Sequence, residues 1–283
     1  MKEQNKNFFF NNKDICSTKD TQHYGQLYGS ATSLAIAENI ENKTGPIIII
    51  TPDMDSAEKT CIEVNFFTDF NFSIALFPDL EILPYDVSPP SKQVIANRSE
   101  ILFKMTNNEI DVLILNAANL LWKLPPKDFF TQQSFSLHED QSFSMNRMKP
   151  RLKNNGYERA SLVTQPGEFC VRGSLIDVFS PLYKNPIRVD FEDDKIDSIR
   201  FFDIDSQMTV NRIEKATIIP SDQYPKNYET IDFFKTNLRN HFEGNQLEWP
   251  LYNFIESDAE SYGVHNYLPF FFKSMSSIWD YCV

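Results

Sequence analysis

The sequence predicts an α/β fold with an inserted small antiparallel β-rich domain, and three observations support this prediction. Helix and strand patterns alternate in the first part of the chain, which is typical of a parallel sheet covered by helices. Between about residues 157 and 207 apolar and polar residues alternate with a period of two, as in strands with one solvated face. A mixed pattern returns after Gln207. The β-rich stretch is therefore expected to be an insertion.

The first part of the chain contains a regular succession of helix and strand signals. Four prolines between Phe77 and Ser91 predict an irregular crossing around Leu83-Pro84-Tyr85-Asp86. The predicted elements are a helix from about Ser30 to Asn42, a strand from Pro46 to Thr51, a helix from about Asp55 to Phe67, a strand from Phe72 to Phe77, a helix near Ser91 to Lys104 and a strand from Val112 to Leu115.

The middle of the chain leads into the β-rich stretch. The Phe-rich segment Phe129 to Phe143 is predicted to be extended, and a short helix ending at Gly156 follows it. Because Pro150 removes a backbone donor inside that helix, we expect a late start or a kink there. Pro166-Gly167 then predicts a turn into a single strand from Phe169 to Phe179.

A hairpin is predicted next. From Ile187 to Glu192 apolar and charged side chains alternate, which indicates a half-buried strand. Asp193-Asp194 can turn the chain, so that a second strand containing Ile196, Ile199 and Phe201 folds back on the first. The stronger Asn-Gly or Asp-Gly turn signal is missing, and the register of the hairpin is left open.

The last part of the chain returns to a mixed pattern. A strand from Ala216 to Ile219 is closed by Pro220, and a helix is predicted near Tyr228 to Phe242. An aromatic segment from Tyr267 to Phe272 follows.

The composition and charge argue against a disulfide-bonded protein and against a mainly DNA-binding one. The 283 residues are 41% hydrophobic and 23% charged, as in soluble globular proteins. The four cysteines are scattered without a Cys-x-x-Cys pair, which indicates reduced thiols and a cytoplasmic location. A net charge of -12 argues against this chain being a main DNA-binding surface. The charge is uneven, because the region from Lys149 to Lys215 is neutral, with 11 basic and 11 acidic residues. The basic segment Arg147 to Arg159 is either a solvated helix face or a binding patch.

The loop before the first helix lacks the groups that bind a nucleotide. A phosphate-binding loop uses close backbone approach at glycine, a lysine for the terminal phosphates and Ser or Thr for magnesium. Here Ala31 and Thr32 stand where the second glycine and the lysine are needed, and Ser33 cannot replace them. The sequence reads as a structural helix cap rather than a nucleotide site. The degenerate loop comprises Gly29, Ser30, Ala31, Thr32 and Ser33.

No other segment predicts an active site. The four histidines, His23, His138, His241 and His265, lie far apart, and His138-Glu139-Asp140 has no second ligand pair. Glu192-Asp193-Asp194 reads as a solvated hairpin tip, with a divalent cation site as the alternative. We therefore predict no catalytic residue, no metal and no cofactor.

Arg172 and Phe179 are the best candidates for function, as parts of a protein-binding surface. Arginine and aromatic residues supply many of the residues that dominate binding energy in interfaces, and Gly173 lets another chain approach closely. Arg159 can join them from the preceding loop. The alternative is that Phe179 packs in the sheet core while Arg172 covers it with its methylene stem.

These motifs resemble the N-terminal, UvrB-like region of the bacterial transcription-repair coupling factors (Mfd). The likeness spans nearly the whole chain from about Gln26. The matching segments, in order, are Gly45-Pro46 to Thr51-Pro52-Asp53-Met54, Leu83-Pro84-Tyr85-Asp86, Gly156-Tyr157-Glu158-Arg159, Gly167-Glu168-Phe169 to Phe179, Arg188 to Asp203, Asp205-Ser206-Gln207 and Tyr267-Leu268-Pro269-Phe270-Phe271.

The resemblance implies a helicase-like parallel sheet with a degenerate P-loop and an inserted domain that copies the UvrA-binding surface of UvrB. Carried over to this chain, Arg159, Arg172 and Phe179 are the expected contacts with UvrA. The implied layout is a flexible segment at 1–25, domain 1a at 26–127, domain 2 at 128–212 and domain 1b at 213–283.

The resemblance also implies a role in recruitment rather than catalysis. The full-length family is an ATP-dependent DNA translocase that binds RNA polymerase and DNA through C-terminal domains, so this chain is expected to be a fragment or a truncated copy. Three hypotheses follow: a non-catalytic module that recruits UvrA to stalled RNA polymerase, a UvrB-like ATP-dependent DNA-binding repair enzyme, and a structural domain that masks the UvrA surface against the C-terminal part.

Overall fold

The structure is a computed structural model that describes residues 24–40, 45–83, 86, 88–244, 251 and 263–282. The chain divides into two compact units. Unit 1 comprises Met1–Phe77 and Asn108–Asn119, and unit 2 comprises Pro78–Asn107 and Leu120–Val283. Cys16, His23, most of the predicted segment 1–25 and the Pro84-Tyr85 dipeptide lie outside the described residues.

Unit 1 is built around a parallel three-stranded sheet. Strand β3 (Val112–Asn116) lies between β1 (Ile47–Thr51) and β2 (Ile74–Leu76) and pairs with both in parallel. Every residue of β3 is buried, as expected for the middle strand of a covered parallel sheet. The parallel sheet predicted from the alternating pattern is therefore confirmed.

Two helices accompany this sheet. Helix α1 (Ala31–Ile40) packs on α2 (Met54–Phe67), which in turn contacts the three strands. Asp53 caps α2 by accepting a 2.7 Å hydrogen bond from the Ser56 amide. Both predicted helices are present, although the predicted end of the first, at Asn42, lies outside the described residues.

Unit 2 begins with helices α3 (Lys92–Thr106) and α4 (Lys127–Gln133), the latter followed directly by strand β4 (Phe135–His138). The prediction that Phe129 to Phe143 is extended throughout was wrong, because the segment begins inside α4. Phe129 and Phe130 are buried and pack edge to face with ring centroids 5.0 Å apart. Burial of the two rings on one short helix outweighs the strand preference of phenylalanine.

Unit 2 also contains a six-stranded sheet in the order β10-β9-β8-β7-β6-β5. Only the β5–β6 pair is parallel. The strands are β5 (Glu158–Arg159), β6 (Glu168–Arg172), β7 (Leu175–Val178), β8 (Ile187–Glu192), β9 (Lys195–Phe202) and β10 (Thr209–Arg212).

The single strand predicted from Phe169 to Phe179 was wrong, since the chain forms the β6–β7 hairpin there. Gly173 has a φ of +59° at the turn, and Arg172 pairs with Leu175 across it. A two-residue turn with glycine first matches the twist of antiparallel strands, which allows the chain to reverse within the segment predicted as one strand. Gly173 therefore serves the turn.

The β8–β9 hairpin was predicted correctly. Asp193 has a φ of +55° at the two-residue turn, so Glu192 pairs with Lys195. The register shifts between Asp190 and Phe191, which indicates a β-bulge.

One face of the sheet packs on helix α5 (Met145–Asn154), on β4 and on β11 (Lys215–Ile218), which pairs with β4 in antiparallel fashion. Helix α5 continues through Pro150, so a late start was wrong, and the alternative, a kink at Pro150, stays a prediction. The core of this layer is apolar and includes Met148, Leu152, Ile176, Val189 and Ile199.

The described residues after Ile218 are mainly helical. Helix α6 (Tyr228–His241) packs against a 3₁₀ segment, Val264–Phe271, and a second 3₁₀ segment spans Ile278–Cys282. The Phe271 ring lies 4.3 Å from those of both Tyr224 and Phe234. Across the residues that the structure describes, no helix is both long and apolar enough to cross a membrane.

Candidate functional site

The face of the six-stranded sheet opposite α5 carries a row of charged side chains. Side chains alternate between the two faces of a strand, so the apolar partners enter the core while the polar ones share the other face. The register aligns Cys170, Asp177, Arg188 and Arg200 across four strands. We define the arginine face as Arg172, Asp177, Arg188, Asp190 and Arg200.

Asp177 is the buried centre of this face. Its side chain is 1% exposed and accepts hydrogen bonds from two guanidinium groups. Arg188 donates from Nε and Nη2 at 2.7 and 3.0 Å, and Arg172 donates from Nη2. The hydrogen bond to Asp177 raises the pKa of Arg172 above its ordinary value, and burial only partly opposes this. One carboxylate therefore holds both guanidinium groups.

Arg188 is fixed on further sides. Its guanidinium lies 4.4 Å from the centre of the Phe202 ring, and it approaches the main-chain and side-chain oxygens of Gln207 at 3.4 Å. Its side chain is 15% exposed, against 44% for Arg172. Arg188 is thus the inner arginine of the pair and Arg172 the outer one.

Phe179 is buried rather than exposed on this face of the sheet. It is 5% exposed and packs with Val163, Cys170 and Phe202 in a small cluster apart from the main core. Its main chain continues the sheet, because its amide donates to the Glu168 carbonyl at 3.0 Å and its carbonyl accepts from Gly167 at 2.9 Å. Its assignment as a contact stays a prediction.

Arg159 lies on the edge strand β5, beside the strand that carries Arg172. Its side chain is exposed, and no hydrogen bond or ion pair holds its guanidinium within the described part of the chain. Arg159 lines an open cleft of about 670 Å³ in unit 2. The cleft is also lined by Lys92, Lys153, Glu158, Asp222, Lys226 and His265.

The inner wall of this cleft is held by a buried carboxylate. Asp222 accepts from His265 at 3.0 Å and pairs with Lys226 at 3.2 Å. Burial opposes ionisation, but Lys226 and His265 together lower the pKa of Asp222 below its ordinary value. The wall needs Gly156, because a Cβ there would lie 2.6 Å from the Asp222 Cβ, and its φ is +86°.

The degenerate loop lies in unit 1, where Gly29 and Ser30 form a turn and Ala31 begins α1. The Ser30 and Ser33 hydroxyls donate to the two carboxylate oxygens of Glu63 at 2.7 and 2.6 Å. The hydrogen bonds from Ser33 and Ser30 lower the pKa of Glu63. A carboxylate from α2 therefore lies near the amino-terminal end of α1, where negative charge is favourable.

Sequence reasoning missed Asp177, Arg188 and Glu63 as parts of these sites. A two-residue turn after Arg172 places Asp177 on the same sheet face and diagonally across from it, so the hairpin register was the available signal. No local signal indicated the Arg188 and Glu63 contacts. Of the residues that the structure describes, no three His, Cys, Asp or Glu side chains are grouped to hold a metal ion.

Comparison with known proteins relates the chain to one family. Residues 135–224 match the UvrB interaction domain, and this range includes β4 to β11 and the arginine face. The chain is 31% identical to the transcription-repair-coupling factor of Escherichia coli over 249 residues, which is 88% of this chain. It is 30% identical to that of Haemophilus influenzae over 98% of the chain and 35% identical to that of Rickettsia prowazekii over 85%.

The chain spans 22%, 24% and 21%, respectively, of the length of these three relatives. The likeness thus covers most of this chain but only part of each relative. The chain is identified as a relative of the transcription-repair-coupling factors that carries a UvrB interaction domain.

Proposed function

We propose that this chain is the non-catalytic N-terminal module of a transcription-repair coupling factor, and that it recruits UvrA to stalled RNA polymerase for nucleotide excision repair. The observation that carries the proposal is the UvrB interaction domain at residues 135–224, whose sheet presents ordered arginines on one face. A domain that resembles the one by which UvrB meets UvrA can dock on the same partner.

Of the three predicted contacts, Arg159, Arg172 and Phe179, we propose that the two arginines touch UvrA directly. Arg172 is exposed yet held by Asp177, whereas Arg159 lies at the sheet edge in register with Phe169 and lines the cleft beside α5. Because Phe179 is buried, its part is to support the backbone and the side chains that it packs with. The surface offers arginine donors to acidic groups of the partner.

The test is a titration of UvrA with the Arg172→Ala variant. We expect the affinity to fall by about 1 kcal/mol or more, since an ordered interface arginine is a typical source of binding energy. Arg239→Ala is the matched control, because Arg239 is exposed on α6 outside the matched domain. Unchanged affinity for Arg172→Ala, with both variants folded, would show that the assigned surface is wrong.

The layout proposed for the chain is a helicase-like domain 1a at 26–127, a UvrA-docking domain 2 at 128–212 and domain 1b at 213–283. The UvrB interaction match overlaps domain 2 over most of its length, which supports this division. The parallel sheet of unit 1 is compatible with a helicase-like ancestry.

The absence of catalysis is also a proposal. Ala31 and Thr32 replace the glycine and lysine that phosphate binding needs, and Ser30 and Ser33 are hydrogen-bonded to Glu63. A carboxylate at this position repels a phosphate. The competing hypothesis, a UvrB-like ATP-dependent DNA-binding enzyme, requires nucleotide to bind here. A rise in melting temperature with added ATP and magnesium would favour that enzyme over the recruitment module.

The activity of a whole coupling factor belongs to the remainder of such a protein. We propose that binding of RNA polymerase and ATP-driven movement on DNA are supplied by regions beyond this part, in the cytoplasm. If the remainder instead masks the UvrA surface, adding it in trans will compete with UvrA. A lack of competition would argue against masking.

A further inference from the structure

Asp177 is not one of the three predicted binding residues, but it is in contact with one of them, Arg172. Asp177 is 1% exposed and cannot itself present a surface to a partner. It nevertheless accepts a hydrogen bond from the exposed Arg172, whose assignment as a UvrA contact belongs to the proposed function. A buried group that touches an exposed candidate contact can act only through it.

Arg172 needs such support because of its place in the hairpin. It is the last residue of β6, and the neighbouring Gly173 has open space where a side chain would stand. A long side chain at a hairpin tip samples many rotamers, and ordering it opposes binding. One Nη2 bond to Asp177 restricts the guanidinium and leaves its other N–H groups available for a carboxylate on the partner.

Asp177 is in turn held from the other side. Arg188 donates to both carboxylate oxygens from Nε and Nη2, in the two-pronged geometry that fixes a carboxylate plane. Arg188 itself lies against Phe202 and is largely buried. The buried Arg188 therefore fixes the Asp177 carboxylate, and Asp177 in turn orients the Arg172 guanidinium.

We propose that Asp177 is a positioning residue for UvrA docking, which pre-orients Arg172 toward an acidic group of the partner, and that Arg188 holds Asp177 in place. Two guanidiniums against one carboxylate leave a surplus positive charge on this part of the arginine face. Because the Arg172 guanidinium is held in one orientation, its free N–H groups point in one direction, which favours a partner with a carboxylate at the matching position.

The test is a double-mutant cycle measured by titration with UvrA, using Asp177→Asn and Arg172→Ala singly and together. Asp177→Asn should weaken binding about fivefold or more in the wild-type background, on the scale of interface hot spots. In the Arg172→Ala background the same change should alter affinity less than twofold, because the group that Asp177 orients is gone. Equal losses in the two backgrounds, or no loss in the wild-type background, would overturn the inference.

The matched control is Glu100→Gln on α3, outside the matched domain. Glu100 accepts a hydrogen bond from Lys104 at 2.6 Å, and its replacement should leave UvrA affinity within about twofold. If Arg172→Ala alone does not weaken binding, the proposed contact fails and the positioning role fails with it. If Arg172→Ala weakens binding and Asp177→Asn does not, only the positioning role fails.

Asp177→Asn leaves Arg188 partly unpaired, so its fold is checked by circular dichroism. If that variant does not fold, Asp177→Glu replaces it, because glutamate keeps the charge and displaces Arg172 by one methylene. Nitrogen-15 spectra of the Arg172 guanidinium give a readout of positioning itself. Rotation of the guanidinium should be hindered in the wild type and free in the variant, and unchanged spectra would refute the role.

Discussion

Replacement of Phe179 by alanine separates a structural role from a binding role at a predicted contact. The ring is 5% exposed and packs with Val163, Cys170 and Phe202. Truncation of a buried phenylalanine costs about 3 to 5 kcal/mol, and this small cluster has few neighbours to lose. We therefore expect about 3 kcal/mol of destabilisation, at the lower end of that range.

The assay is urea unfolding followed by far-ultraviolet circular dichroism, with tryptophan fluorescence as a second probe because the chain has two compact units. Phe179→Leu, which keeps most of the apolar volume, serves as the control and should cost less than about 1.5 kcal/mol. UvrA affinity is then measured at a temperature where both variants are folded. A stable Phe179→Ala variant with much weaker UvrA binding would refute the reasoning, because it would make the ring a direct contact.

Two further predictions concern other residues. Gly156→Ala should destabilise the chain by about 1 to 3 kcal/mol, since its backbone conformation disfavours a side chain and the new Cβ would meet Asp222. Gly45→Ala is the control, because φ is +102° there but no atom lies where the new Cβ would stand. The difference in melting temperature between the two variants measures the steric clash, and equal losses would contradict a clash with Asp222. Glu63→Gln should cost roughly 1 kcal/mol at pH 7 by weakening the hydrogen bonds from Ser33 and Ser30. Because folding lowers the pKa of Glu63, its stabilisation is full above the unfolded pKa and is lost as the pH falls through the folded value. The difference between wild type and variant in urea unfolding should therefore shrink at acidic pH, and a constant difference would contradict the charge argument.

The hairpins show how far local patterns reach. From Ile187 to Phe201 the alternation and the Asp193-Asp194 turn predicted both strands correctly, because half-buried strands and tight turns depend on neighbouring residues. In the run from Phe169 to Phe179 the inward positions change from Phe169 and Val171 before the turn to Ile176 and Val178 after it. A two-residue turn pairs residue i with residue i+3, so it shifts the alternation by one residue. This shift at Gly173-Ser174 was the available signal for a hairpin, and the prediction of one long strand overlooked it.

The Phe-rich segment marks a second limit. Phe129 and Phe130 favour strands by propensity, yet both rings are buried from one short helix. The Phe129 ring also lies 5.6 Å from that of Phe272, far along the chain. Such long-range packing decides between helix and strand where the local preference is weak.

The sequence alone was sufficient for the alternating α/β region, the β-rich stretch and the likeness to the coupling factors, since these follow from periodicity and from residues adjacent in the chain. It also placed Arg172 at a candidate surface. The burial of Phe179, the Glu63 carboxylate beside Ser30, and the joining of Arg172 to Arg188 through Asp177 depend on the folded chain. Each of these requires strands or helices distant in sequence to meet in one register, and that register is set by packing of the whole core.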